Sequence, residues 1–487
     1  MKSGMSGNSL GPNADVLEAQ ARVCTGPHQT RPLGVKETDP IQPETILEII
    51  LKSAKRELSI DQMVSDAQMG AFFAAMTIRK HFPPDTRWSQ SEIAAFDKYA
   101  PDLTKFMPPE IEFLRYPDTA YCSSTPEENI VVGALKRILK REHLTYGETL
   151  KVCKAILTNH VKEALKAAVL IGQRMNLESY DEVLGYLDAV FAPDQVEPIS
   201  VDSLTHFGEP FDGATRYFRP TLFVAAVRAA MGHASVLYGV DEMPPKNGVT
   251  EEKILRVLDA NTRLSLDSAA TLIEDPTVGF AYVSQREYAP GAYAICQLRQ
   301  HIKKRPPWAA TEKAQQLFSA SKMNCMVIGY YHLGYEKKLL QLIWDRGFQT
   351  GLAIKGEEGT SHYALRLSSP STSDRQAINY SQGFRRINDQ REDFALDVDP
   401  QEFGFNYRKN PRLETVSPES FATAGMSALS GQKGHVYDRL VFNTAMIDYL
   451  LGFYPDPNLA IKSVRRAIDS GQALSHLKAY IVKSRII

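Results

Sequence analysis

The stretch from Leu204 to Leu255 carries the residue types and spacing that could do chemistry. It opens with a glycine-bearing loop, Gly208-Glu209-Pro210-Phe211-Asp212-Gly213, followed by an apolar helical segment from Thr221 to Met231 and a short apolar strand from Ala234 to Tyr238. A second loop, rich in Gly and Pro, then feeds a helix beginning at Thr250. Two loops that bracket a strand and open onto helix starts are how an α/β protein gathers backbone N–H groups and helix dipoles around a phosphate. The N-cap at Thr250 leaves N–H groups able to attract an anion, although Glu251 and Glu252 already complement that dipole.

Two further clusters bear charge in a useful pattern. His301-Ile302-Lys303-Lys304-Arg305 is a basic cluster at the solvated end of a helix over 291–303, where the macrodipole favours cations. Glu357-Glu358 is an acidic doublet of the kind that forms a solvated turn. No nucleophile-elbow motif accompanies His332 or His362, and both read as ordinary histidines.

These clusters must be positioned by a chain whose hydrophobic period changes near Val201. Before that point it is helical. Residues 1–40 are rich in Gly, Pro, Ser and Asn and read as a disordered arm, and residues 83–130, dense in proline, read as an irregular connector with short helices. On either side lie amphipathic helices, the first block with small residues Gly70, Ala71, Ala74 and Ala75 that allow close packing. KRELS (55–59) and KREHLT (140–145) each precede an Ala-rich helix ending in a basic residue, which predicts a degenerate internal repeat. After Val201, apolar strands at 234–239, 279–283, 325–331 and 350–356 alternate with helices near 250–259, 265–274, 291–303, 311–321 and 334–346. Alternation of this kind implies right-handed crossovers and a mostly parallel sheet. Residues 369–415 are polar with two strands, and the end is helical again. The expected class is α/β, divided into an arm (1–40), a helical domain (41–200) and a large α/β domain (201–487).

With 487 residues, 43% hydrophobic and 23% charged, the composition is that of a soluble globular protein of two or three domains. A net charge of −1 gives no global basic footprint for nucleic acid. Cys24, Cys122, Cys153, Cys296 and Cys325 are scattered, without CxxC or metal-ligand spacing, and read as reduced thiols of an intracellular protein. No apolar run reaches membrane-span length, and the N-terminus lacks a signal-peptide core.

GEPFDG, GVDEMPPKNGVTEEKIL, HIKKRPPWAATEKAQQ, KGEEG and ALSGQKGHVYDRLVFN, in that order and with helical, α/β and closing helical blocks around them, resemble the anthranilate phosphoribosyltransferase family, in its divergent plant and algal branch. The resemblance runs from about Ile46 to Ile481. It implies a nucleoside-phosphorylase/phosphoribosyltransferase-like fold, transfer of phosphoribosyl from 5-phosphoribosyl pyrophosphate to anthranilate or a related aromatic amine, Mg²⁺, a homodimer and a plastid address. The homodimer would bury an Ala-rich face such as Ala71 to Met76. The alternative it also implies is a non-catalytic member that binds nucleic acid or nucleotide, using Lys136, Arg137, Arg141, Lys303, Lys304 and Arg305.

Displacing a diphosphate from a cation-like ribosyl centre needs backbone donors, metal-holding carboxylates and a cationic clamp more than a strong base. In the resemblance, GTGGDG becomes GEPFDG, leaving Gly208, Asp212 and Gly213. Pro210 removes an N–H, and Phe211 and Glu209 add bulk and negative charge. Asn-x-Ser-Thr becomes Arg219-Pro220-Thr221-Leu222, keeping a hydroxyl at Thr221 and adding a cation at Arg219 able to grip phosphate. Gly239 and Lys246 remain in the second loop. Ser361 and His362 stand where an Asp-Glu metal pair is expected, with Glu357 and Glu358 upstream as substitutes. Arg305 takes the place of the arginine that binds the acceptor's carboxylate.

Overall fold

The computed structural model describes residues 11–367 and 369–487. The chain divides into two compact units: a helical one, ending at Val190 and regaining Ala294–Trp308, and an α/β one of Phe191–Tyr293 and Ala309–Ile487. The boundary thus falls ten residues before the expected one, and the basic segment around Arg305 belongs to the helical unit.

The helical unit contains α1 (Ala14–Val23), α2 (Pro43–Ala54), α3 (Asp66–Arg79), α4 (Gln90–Phe106), α5 (Pro109–Arg115), α6 (Pro126–Ile138), α7 (Tyr146–Ile156), α8 (Glu163–Asn176) and α9 (Tyr180–Val190). The arm expected over 1–40 is ordered where it is described; its first ten residues lie outside the described residues. Asn13 caps α1 through Val16 N, and Val16, Ala19 and Val23, one helical stripe, are buried. The 83–130 connector is likewise mostly helix. Pro109 and Pro126 occupy first-turn positions, where the missing N–H costs nothing, so these prolines start α5 and α6 instead of interrupting them. α3 is apolar around its circumference and starts at a Ser65–Gln68 capping box. Its Ala71–Met76 segment, expected as a dimer face, is 0–1% exposed within the chain.

The repeat is present, in a different register from KRELS and KREHLT. α3 and α8 each have 14 residues. Each is followed by a helix whose third residue is a buried capping glutamate, Glu92 after Ser89 and Glu182 after Ser179. Glu92 accepts the N–H of Leu33 at 3.0 Å and Glu182 that of Leu144 at 3.1 Å. Leu33, in the supposed arm, is therefore the counterpart of Leu144, and α1–α4 correspond to α6–α9. α3 lies along α8 in the same direction, with Gly70 against the Ala164 backbone and Gly172 near Ile78.

The α/β unit is built on β2 (Ser203–Gly208), β3 (Ala234–Gly239), β4 (Phe280–Ser284), β6 (Met323–Gly329), β7 (Thr350–Ile354), β8 (Tyr380–Ile387) and β9 (Gln390–Asp397), in the order β4-β3-β2-β6-β7-β8-β9. The first five are parallel, and β8 and β9 add an antiparallel hairpin. A separate parallel pair joins β1 (Glu197–Pro198) to β5 (Phe318–Ser319). The parallel strands are apolar runs buried on both faces, as helices on either side require. The helices are α10 (Thr221–Ala230), α11 (Glu251–Val257), α12 (Leu266–Glu274), α17 (Tyr335–Asp345), α18 (Pro418–Leu429), α19 (His435–Leu451), α20 (Pro457–Asp469) and α21 (Gln472–Lys483).

Between β4 and β6 the expected long helices are broken. Residues 285–311 hold only the short α13 (Gln285–Tyr288), α14 (Pro290–Ala294), α15 (Cys296–Gln300) and α16 (Trp308–Thr311), and 311–321 is a single turn running into β5. The chain leaves the sheet at its β4 edge and returns beside β2. That reversal makes the carboxyl ends of β2, β3 and β6 the topological switch point, where α/β folds place ligands.

Candidate functional site

Four loops leave the carboxyl ends of parallel strands: 209–220 after β2, 240–250 after β3, the Gly329 end of β6, and 355–362 after β7. Ala214 and Val249 pair as an isolated antiparallel bridge, tying the first two loops together. Gly208 is required by space, because a Cβ there would lie 1.8 Å from the Lys313 carbonyl oxygen. Gly213, at φ +74°, turns the loop against Gly248. Gly239 has no such need; a Cβ there meets only Tyr282 Oη at 3.5 Å. Phe211 is buried and faces Tyr238 edge-on, filling volume in the first loop.

The charged residues of these loops meet one another. Glu209, 1% exposed, accepts Thr221 Oγ1 at 2.8 Å, the Ser361 N–H at 3.3 Å, the Ser361 hydroxyl and His362 Nδ1 at 3.1 Å. Arg219 Nη2 lies 3.7 Å from the same carboxylate, while its Nε is paired with Glu251 at 2.5 Å and its Nη1 donates to the Pro210 carbonyl at 3.1 Å. Burial alone would raise the Glu209 carboxyl, but His362, Arg219 and the Ser361 donors outweigh it and hold the group well below the usual carboxylate range. Glu251 goes the other way. Burial, with the charge of Glu209 adding to it, pushes its carboxyl up to about 7 against the pull of Arg219. Arg219 and Thr221, expected to face phosphate, are thus spent on internal carboxylates.

A second carboxylate is held by backbone. Glu358, its side chain 2% exposed, accepts Thr215 N at 3.1 Å and Thr215 Oγ1 at 2.9 Å on one oxygen, and Arg216 N at 3.1 Å and Tyr217 N at 3.3 Å on the other. Lys246 Nζ stands 3.5 Å away and also reaches Asp212 at 3.6 Å. Burial opposes the charge of Glu358, and the Thr215 donors and Lys246 overcome it, lowering its pKa. Glu357 differs: burial raises its carboxyl although Arg216, Arg439 and Arg412 are near.

Of the sequence-predicted residues, Gly208, Asp212, Gly213, Arg219, Thr221, Gly239, Lys246, Glu357 and Glu358 all lie on the loops at this end of the sheet. Arg305 belongs to the helical unit, exposed, its carbonyl accepting Arg174 Nη1 at 2.8 Å. Sequence reasoning missed the Thr215–Tyr217 amides, which have no side-chain signature. It also missed Lys313, whose Nζ donates to the Gly329 carbonyl at 2.8 Å and the Gly359 carbonyl at 3.1 Å. His362 was read as ordinary; only its pairing across 153 residues with Glu209 gives it a role.

No family profile matches the chain. Solved structures share its fold. The anthranilate phosphoribosyltransferase of Thermus thermophilus superposes with a TM-score of 0.57 at 18% identity, covering 72% of this chain and 98% of that one. The Saccharomyces cerevisiae protein, in complex with PRPP and Mg, gives 0.58 at 15% identity, covering 74% and 99%. Among curated proteins, the anthranilate phosphoribosyltransferase of Thermoanaerobacter sp. (strain X514) is 23% identical over 349 residues, 71% of this chain and 96% of the relative. That of Aquifex aeolicus is 21% identical over 363 residues, 74% and 99%. In sequence and in fold the chain is similar to anthranilate phosphoribosyltransferases. At the switch point of this chain stands an internal carboxylate network, in which Ser361 and His362 donate to Glu209.

Proposed function

We propose that this chain transfers phosphoribosyl from 5-phosphoribosyl pyrophosphate to anthranilate or a related aromatic amine. The observation that carries this reading is the cradle at Thr215–Tyr217. Three consecutive N–H groups, a hydroxyl and the Lys246 ammonium converge on one anion at the carboxyl end of the sheet. That donor set suits a phosphoryl group, whose charge it would stabilise without proton transfer. Mg²⁺ is the ion that accompanies a diphosphate. Among the described residues no group of three or more His, Cys, Asp or Glu side chains is placed to hold a metal. Such an ion would therefore arrive on the substrate's phosphates with most of its water, needing only one or two protein carboxylates. Glu357 is the member of the doublet not held by the cradle.

A second reading, a catalytically silent member on the same scaffold, is favoured by the Glu209 network, which occupies Arg219, Thr221 and Ser361 together. Formation of N-phosphoribosyl anthranilate, followed by loss of anthranilate fluorescence with 5-phosphoribosyl pyrophosphate and Mg²⁺, separates the two. Turnover above a heat-denatured control supports transfer. Its absence at millimolar substrate leaves the silent member.

A further inference from the structure

We propose that Glu358 is a displaceable internal occupant of the Thr215–Tyr217 cradle, and that a phosphate-class anion takes its place. The inference rests on reading these loops as a phosphate site and adds how that site is kept shut. The cradle is fully used: each oxygen of Glu358 accepts two donors, and Lys246 faces the carboxylate with only 19% of its side chain exposed. An inorganic phosphate offers the same two oxygens, a second negative charge for Lys246, and further oxygens for Arg216, whose Nε already stands 3.9 Å from Glu358.

The segment that delivers Glu358 is built for exchange. Glu358 adopts φ +59°, ψ 11°, a left-handed backbone that a residue with a side chain accepts at a cost of about 1 kcal/mol. Gly359 follows at φ +78°. The turn is held to the sheet by two ammonium groups, Lys313 on the Gly359 carbonyl at 3.1 Å and Lys246 on the Glu358 carbonyl at 3.4 Å. The Lys313 tether grips the Gly359 carbonyl and not the Glu358 carboxylate, so it does not depend on that carboxylate filling the cradle. The cradle itself stays formed, because it belongs to the 209–220 loop, which the Ala214–Val249 bridge fixes to its neighbour.

Calorimetry with inorganic phosphate, without metal, tests this on the full chain. Glu358→Ala should bind phosphate at least about tenfold more tightly than the parent, the gain expected from removing an intramolecular competitor. Lys246→Ala in the same background should cancel the gain, and Glu357→Ala, which leaves the cradle filled, should show none. Matching circular dichroism spectra identify the folded variants; if Glu358→Ala does not fold, Glu358→Gly, which suits the left-handed backbone, takes its place. A Glu358 variant binding no better than the parent, or a gain indifferent to Lys246, overturns the proposal. Loss of the transferase reading leaves it standing, since phosphate binding is measured without turnover.

Discussion

Replacing Glu209 by Gln tests whether the loops are held by a shared cation or by one essential ion pair. Breaking a buried pair usually costs about 3–5 kcal/mol, because the surviving charge is left uncompensated. Arg219 would not be stranded. Its Nε is 2.5 Å from Glu251, nearer than its 3.7 Å approach to Glu209. The loss is then confined to the charge-assisted bonds from Ser361, Thr221 and His362, part of which a Gln oxygen retains, giving about 1–2 kcal/mol. Asp448→Asn is the internal contrast. Arg228 is fully buried, 2.6 Å from Asp448, and its other partners are the Ser235 and Thr205 hydroxyls and the Ala234 carbonyl, all neutral. That variant should cost the full 3–5 kcal/mol. Native-state hydrogen exchange read on peptides from β2 and β3 suits a chain of two units, where a single global midpoint is not defined.

The same variant has a pH signature. In the parent, Glu251 is raised to about 7 from an ordinary 4.5, so between these values the folded state binds more protons than the unfolded one. Its contribution to stability therefore falls as pH rises through that window. Removing the Glu209 charge lowers the Glu251 pKa and flattens this slope. Glu209→Gln costing as much as Asp448→Asn, with the slope unchanged, would refute the claim that Glu251 shares Arg219.

Other consequences are simpler. Gly208→Ala should cost at least about 3 kcal/mol or abolish soluble expression, since its Cβ meets backbone at 1.8 Å, whereas Gly239→Ala should shift stability by less than about 1 kcal/mol; thermal melts of both check this. His206, fully buried on β2 beside Phe348, is pushed down to about 3 by burial, so its contribution is complete above pH 6.5 and is lost as pH falls toward 3. His206→Phe should flatten the acid limb of stability measured between pH 7 and 4. Gly70→Val, placing side-chain atoms where even a Cβ would be 2.1 Å from the Ala164 carbonyl oxygen, should raise exchange in α3 and α8 together while leaving the sheet strands protected.

What was legible in the sequence followed from period and from chemistry that local residues display. The apolar runs of β3, β4, β6 and β7 were legible as strands, whereas β2 was not, because Ser203, Thr205 and His206 interrupt its apolar pattern. Prolines misled: Pro109 and Pro126 look like breakers until their first-turn positions are known, and α1 is hidden by glycine and proline on both sides. The helix expected over 291–303 is a case of packing overriding period: it is split into α14 and α15, with Ala292, Cys296 and Leu298 buried. The cradle was invisible for a different reason. It is made of main-chain N–H groups whose convergence depends on the fold, and its occupant comes from 141–143 residues away.

The side-chain changes in the loops make better sense as a set than singly. Glu209 put into an otherwise unchanged phosphate loop would repel both the ligand and any acidic pair opposite it. Here the opposite positions are Ser361 and His362, and they donate to Glu209. In this chain the negative charge sits on the Glu209 side and the donors on the Ser361–His362 side. A reversal of Glu209 alone, to the Thr of the family motif, would therefore leave Ser361 and His362 facing a hydroxyl. It would not restore a metal-binding pair. Reconstructing family-like phosphate chemistry in this chain requires both sides to change together, and a Glu209→Thr variant combined with Ser361→Asp and His362→Glu should gain Mg²⁺-dependent binding of 5-phosphoribosyl pyrophosphate that neither half of the exchange gives alone. Equal affinity in the half-exchanged and fully exchanged proteins would show that the two sides act independently.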